Sequence, residues 1–226
     1  TTYTTTYSYS PRNELTKADE SHTSSQFDRR SFGYDLRGNL THVDCHDWQY
    51  EGDEWVDMEC MWNSEYYWSS DDRLTKFEYY DEGWLEKTVE YKYDLLGRRA
   101  AKRVALGDEP ESNWGPWKWF FYDGLQVLAE GTATNDRTYY TGGICRESNG
   151  TRYWYHHDRL GNILAITDEN GNPYALYTME AFGNVLEKGT STGYSSEHQT
   201  DPQPYHITSK EYDEDVRLYY FGARWY

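Results

Sequence analysis

Carboxylates are the most abundant reactive groups in this 226-residue chain. There are 39 Asp and Glu against 22 Lys and Arg, a formal net charge of −17. Paired carboxylates can do general acid–base work, but one of them needs a pKa tuned in a cleft. At this density, closeness in sequence selects no pair, and no catalytic residue is assigned. Cys45 and Cys60 flank an acidic stretch and are the candidate disulfide, closed across a hairpin in an oxidising compartment, with Cys145 left over. "THVDCH" (Thr41 to His46) together with Cys60 has the ligand types of a zinc site, but zinc sites use tighter pair spacing. His156-His157 reads as structural. "TDENGNPY" (Thr167 to Tyr174) lacks the alternating oxygen ligands and distant Glu of a calcium loop, and reads as a tight turn. No metal and no cofactor is assigned. Gly-x-Ser-x-Gly, His-Glu-x-x-His and phosphate-binding glycine loops do not occur, so the expectation is a chain that is not an enzyme. "WGPWKWFFYD" (Trp114 to Asp123) has the aromatics either to stack a sugar or to pack across strands. Asn39 and Asn149 begin candidate glycosylation sequons.

The elements that position these groups are short strands. Low aliphatic content and high charge would ordinarily mean disorder, but 24 Tyr, 10 Trp and 7 Phe overturn that reading. Each aromatic can bury roughly 150–250 Å², so the core is expected to be aromatic. Cations are scattered among carboxylates, which argues against nucleic acid as a partner. No apolar run approaches the roughly 20 residues of a membrane span. The chain begins at Thr1 without methionine, so the lack of a signal peptide says nothing about secretion.

One phrase recurs: "YSPRNELTKAD" from Tyr9, "YDLRGNLTHVD" from Tyr34, "WSSDDRLTKFEY" from Trp68 and "YDLLGRRAAKRV" from Tyr93. The phrase has the form strand, polar turn, strand. Tyr34 and Tyr93 would pack, Asp35 and Asp94 would bond turn amides, and Gly38 and Gly97 would take a positive φ, as would Gly161 after Asp158. The expected organisation is 1–121 as repeats, with an acidic insert at about 44–67, continuous with 122–226. "TTYTTTYSYS" at the N-terminus has pure strand composition and no partner beside it in sequence; Tyr3, Tyr7 and Tyr9 share one face.

These repeats resemble the YD-repeat (Rhs-repeat) family over nearly the whole chain. "YDLRGNLT" and "YDLLGRR" are similar to its defining unit, and "YDGLQVLAE" (Tyr122 to Glu130) to the phrase before its core region. Tyr153 to Glu187 and "KEYDEDVRLYYFGARWY" (Lys210 to Tyr226) resemble the Rhs-associated core and its closing strand pair. Met179 to Gly183 departs from the family's usual Tyr-Asp-Pro-Phe-Gly. The resemblance implies an all-β, spiralling antiparallel hairpin ribbon, a segment of an open barrel, shell or tube. It also implies an Asp-Pro and a self-cleavage motif beyond the closing pair, which do not occur before Tyr226.

Three functions are consistent with this reading. The first is a structural, secreted or cell-surface protein that self-assembles head to tail through open sheet ends into a filament, tube or shell, with the N-terminal strand as assembly strand. The second is the core fragment of a toxin-enclosing shell, and the third a glycan-binding surface module.

Overall fold

The computed structural model describes residues 4–23, 26–51, 54–133, 136–179, 185–190, 193–195, 205, 207–222 and 224–226. The all-β expectation holds: no α-helix occurs among the described residues. The chain resolves into two compact units, one of residues 1–91 with 103–115, the other of 92–102 with 116–226.

In the first unit the strands are β1 (Thr4–Tyr9), β2 (Leu15–Thr23), β3 (Gln26–Tyr34), β4 (Leu40–Glu51), β5 (Glu54–Trp68), β6 (Leu74–Asp81) and β7 (Trp84–Tyr93). Each pairs antiparallel with the next. The N-terminal strand therefore has a partner, β2, contrary to the reading of "TTYTTTYSYS" as unpaired. Tyr7 and Tyr9 are exposed, and Tyr3 lies outside the described residues.

One face of this meander is a core row. Val43 lies opposite Ser64, Tyr66 opposite Phe77, and Phe77 opposite Val89, with all five buried. The Tyr66 and Phe77 rings are 5.0 Å apart. Such cross-strand pairs are the stabilising unit of a sheet. The other face mixes charged groups with rings: Arg29 lies over Phe27 and Trp48, and Lys76 over Tyr67. Arg29 forks onto Asp19 at 2.7 and 2.8 Å, and Glu78 accepts from Tyr67 and Tyr80 and pairs with Lys76. Glu78 lies opposite Glu65. Burial pushes the Glu65 carboxyl up; His42 lowers it, while Asp44 and Glu78 raise it.

In the second unit the strands are β9 (Lys118–Asp123), β10 (Gln126–Gly131), β11 (Thr138–Thr141), β12 (Cys145–Ser148), β13 (Thr151–His157), β14 (Ile163–Thr167), β15 (Pro173–Met179), β16 (Val185–Thr190) and β17 (Gly193–Ser195). These too pair in succession. β8 (Arg99–Leu106) places Ala101 and Lys102 opposite Trp119 and Lys118 of β9. β18 (Glu211–Asp213) and β19 (Leu218–Tyr220) form a separate hairpin.

The recurring phrase is a five-residue turn. Strand ends pair as Tyr9 with Leu15, Tyr34 with Leu40, Trp68 with Leu74, His157 with Ile163 and Thr167 with Pro173, each beside a register shift. The first turn residue supplies one oxygen to two backbone amides. Asp35 Oδ1 accepts from Arg37 and Asn39, Asp94 Oδ1 from Leu96 and Arg98, and Asp158 Oδ1 from Leu160 and Asn162. Ser10 Oγ does the same for Arg12 and Glu14. The fourth residue is left-handed: Gly38, Gly97 and Gly161 have φ of 86°, 76° and 84°, and Asn13 and Asp72 fill that place at 65° and 61°. This five-residue turn differs from a two-residue primed turn. That turn occurs instead at Asn149-Gly150, both at positive φ between the paired Ser148 and Thr151.

In the first unit, neighbouring turns are linked. Arg12 donates to Leu36 O, and Arg37 to Ser70 O, while Asn39 Nδ2 bridges Asp35 and Asp72. Burial pushes the Asp35 carboxyl up, but the Asn39 and Arg37 bonds win and hold it below the ordinary value. Asp94, opposed by burial but held by Arg98 and Leu96, is lowered likewise.

A depressed folded pKa stabilises the fold above the unfolded value, ~3.9 for Asp, and this is lost as pH falls through the lower folded value. Asp94→Ala should therefore cost on the order of 1 kcal/mol at neutral pH, comparable to losing a helix cap. Urea titrations of the variant and the parent should converge once the pH falls below the lowered Asp94 value. The register also sets Glu20, Asp28 and Asp47 opposite one another on three successive strands. Like charges directly opposite destabilise by up to ~1 kcal/mol. Asp47→Lys should raise the melting temperature, most at low salt.

Candidate functional site: a buried arginine cluster beneath the closing hairpin

β18 and β19 are joined by a turn in which Val216 and Arg217 amides donate to Asp213 O, with Arg217 at φ 58°. Val216 is fully buried. Period two puts Glu211 and Asp213 on one face of β18, and that face meets Arg99 at the start of β8.

Arg99 is fully buried. Its Nη1 lies 3.1 Å from Asp213 Oδ2, and its Nη2 donates to Glu211 Oε2. The guanidinium lies over Phe120 at 4.0 Å and near Tyr220 at 4.9 Å and Trp225 at 5.6 Å. The Arg99 backbone is held as well: its N–H donates to Tyr220 Oη at 2.9 Å, and its carbonyl accepts from Tyr122 Oη at 2.8 Å. Lys102 donates to Asp213 and sits 2.7 Å from Asp215 Oδ2. Burial would depress the Lys102 ammonium, but Asp213 and Asp215 outweigh it and hold it charged. Burial also pushes the Tyr122 phenol far up, so it stays a donor. Nearby, Lys118 pairs with buried Glu130 at 2.7 Å.

A guanidinium offers a planar fork of donors, which suits two carboxylates from one strand. Its faces are covered by aromatic rings, which favour a cation. The arrangement can hold the closing hairpin to the sheet. Outer bonds extend this hold: Trp225 Nε1 donates to Tyr93 Oη, Thr208 N donates to Asn162 Oδ1 and Ser209 Oγ to Gly161 O. The Asp158 turn thereby helps hold the segment leading into β18.

The residues singled out from sequence lie elsewhere. Tyr34, Asp35, Gly38, Tyr93, Asp94, Gly97, Asp158 and Gly161 form the turns described above. Cys45 is buried opposite Trp62, while Cys60 lies opposite His46, and its side chain is outside the described set. His46 bonds Asp57 at 2.8 Å, and the His42 ring lies against Gly33, where a methyl group would overlap it. His156 bonds Thr167. Trp114 and Trp117 are covered by Arg103 and Lys92 at 4.4 and 3.9 Å. Among the described residues, no group of three or more His, Cys, Asp or Glu is placed to hold a metal ion. No helix there is long and apolar enough to cross a membrane.

The sequence reading missed Arg99, Lys102, Glu211 and Asp213. The available signal was charge alternating with aromatics at period two in "KEYDEDVRLYY", a pattern that puts carboxylates on a covered strand face.

No protein-family profile matches the chain. Curated relatives exist. The chain is 34% identical over 169 residues to the tRNA3(Ser)-specific nuclease WapA of Bacillus spizizenii. It is 34% identical over the same length to the tRNA nuclease WapA of Bacillus subtilis strain 168. Each match covers 71% of this chain and 6% of the relative, so the chain spans a small fraction of the relatives' length. Among solved structures, the Photorhabdus luminescens Tc holotoxin pore aligns with 98% of this chain and 13% of its own, at 16% identity and TM-score 0.49. The TcdB2–TccC3 structure without its hypervariable C-terminal region aligns over 98% of this chain and 14% of its own, at the same identity and score. The expectation that the chain is not an enzyme is overturned by the relatives, which are named as tRNA nucleases. The exclusion of nucleic acid as a partner loses its ground for the same reason. Absent motifs and a negative charge speak only about the 226 residues read.

Removing one member of a buried ion pair strands its partners, at roughly 3–5 kcal/mol. Arg99→Met should lower the stability of the second unit by that amount in urea unfolding. Adding Glu211→Gln and Asp213→Asn should recover much of the loss, because no uncompensated charge then remains.

Proposed function

We propose that this chain is a wall segment of an Rhs-type toxin polypeptide, and that the polypeptide as a whole cleaves tRNA. The observation that carries this reading is the 34% identity to WapA nucleases, spread over 71% of the chain but only 6% of the relatives. A short segment shared with far longer nucleases is what a repeated building unit would give. The successive antiparallel hairpins of each unit, linked turn to turn in the first, are suited to extending a wall. The buried lock at Arg99 is suited to fixing its closing hairpin. In this reading the wall is secreted or displayed on the cell surface and surrounds a toxic segment of the same polypeptide.

The test uses the full-length polypeptide that carries this chain. It should cleave tRNA in vitro, and Arg99→Met should open the wall, making the remainder more sensitive to limited proteolysis. A full-length polypeptide that leaves all tRNA intact would overturn the nuclease assignment. Unchanged proteolysis in a destabilised Arg99→Met variant would overturn the wall.

The exposed Tyr7 and Tyr9 on β1 favour a second reading, in which copies assemble through this strand. Deleting residues 1–10 should then abolish association in sedimentation. A chain that is monomeric at all concentrations would exclude it.

A further inference from the structure

Four buried polar atoms on one face of the second unit have no hydrogen-bond partner among the described residues. They are Glu130 Oε2 on β10, Tyr140 Oη on β11, Arg146 Nε on β12 and Tyr155 Oη on β13. The four strands are successive neighbours. Glu130 lies opposite Thr138, Tyr140 opposite Arg146, and Arg146 opposite Tyr153. Period two then brings Tyr140 onto the face of Thr138, and Tyr155 onto that of Tyr153. All four side chains therefore lie on one face of the sheet, stepped diagonally across it, and close enough that Glu130 and Tyr155 act on Tyr140, and Arg146 and Glu130 on Tyr155. Glu130, Tyr140 and Tyr155 are each more than nine-tenths buried. Polar atoms buried without partners are rare in proteins, and each costs free energy.

The charges around this cluster decide what can fill it. Arg146 acts on the Tyr155 phenol, Glu130 Oε1 already takes the Lys118 ammonium, and Arg99 and Lys102 are matched by Glu211, Asp213 and Asp215. A metal ion or an anion would unbalance this set. The occupant has to be neutral, small, and able both to donate and to accept. We propose that one or more buried water molecules occupy the cluster, accepting from Arg146 Nε and the two phenols and donating to Glu130 Oε2. Polar sites with two to four such partners are where internal waters are held. Burial first, and then Glu130, push the Tyr140 phenol well above its ordinary range; burial pushes that of Tyr155 up too. Both phenols therefore keep their protons and can donate.

A crystal structure of this chain at about 1.8 Å or better tests the proposal. The expected result is a water peak about 2.6–3.2 Å from Glu130 Oε2 and from at least one of the other three atoms. The peak should persist in Glu130→Gln, which keeps an acceptor, and vanish or move in Tyr140→Phe/Tyr155→Phe. Direct phenol-to-Glu130 bonds with nothing between, or a density that refines as an ion or organic group, would overturn it. If the double variant does not fold, magnetic relaxation dispersion on the single Tyr140→Phe variant decides. Loss of a long-lived internal water relative to the parent supports the proposal, and an unchanged dispersion overturns it.

Discussion

The meander depends on a side-chain oxygen that accepts two amides across a turn. Between two paired strands the chain leaves the hydrogen-bonded ladder for five residues, and the amides there need acceptors. Asp35, Asp94 and Asp158 supply an ionised oxygen for this, and Ser10 a hydroxyl. A fixed turn length fixes the register of the strands it joins. The register in turn decides which face of each strand carries Val43, Tyr66, Phe77 and Val89 to the core. Arg12 and Arg37 then reach from one turn to a carbonyl of the next, so the strand ends are spaced as well as reversed.

The interior that results differs from an aliphatic one. Tyr140, Tyr155, Tyr177, Tyr219 and Tyr220 are all buried, and every ring brings a hydroxyl with it. Such a core needs partners for its polar tips. Tyr122 and Tyr220 meet this need by bonding the Arg99 backbone. The same polar interior lets a guanidinium sit fully buried among rings, matched by carboxylates. Buried ion pairs are weak evidence for stability but strict about geometry, which suits the seating of a hairpin in one position.

Motif searches and charge balance describe local chemistry, and local chemistry here is that of hairpins and their turns. The chain matches only 6% of the nucleases it resembles, and a reactive group need not lie near the turns that a sheet requires.

The sequence by itself determined the turns, because their cause is local. Tyr34, Asp35 and Gly38, or Tyr93, Asp94 and Gly97, all lie within a few positions, so bonding oxygen and left-handed residue are legible together. It also determined the all-β class, through aromatics alternating with charge. It did not show that Asn13 and Asp72 stand in for glycine, since a non-glycine residue takes positive φ only where the surrounding bonds favour it. Only the tertiary structure decided that Arg99 is a buried residue rather than one more surface cation. Its partners Glu211 and Asp213 lie more than 110 positions away. No spacing rule reaches that far: the pairing exists only because the closing hairpin folds back onto β8, where a charge out of water needs opposite charges in contact with it.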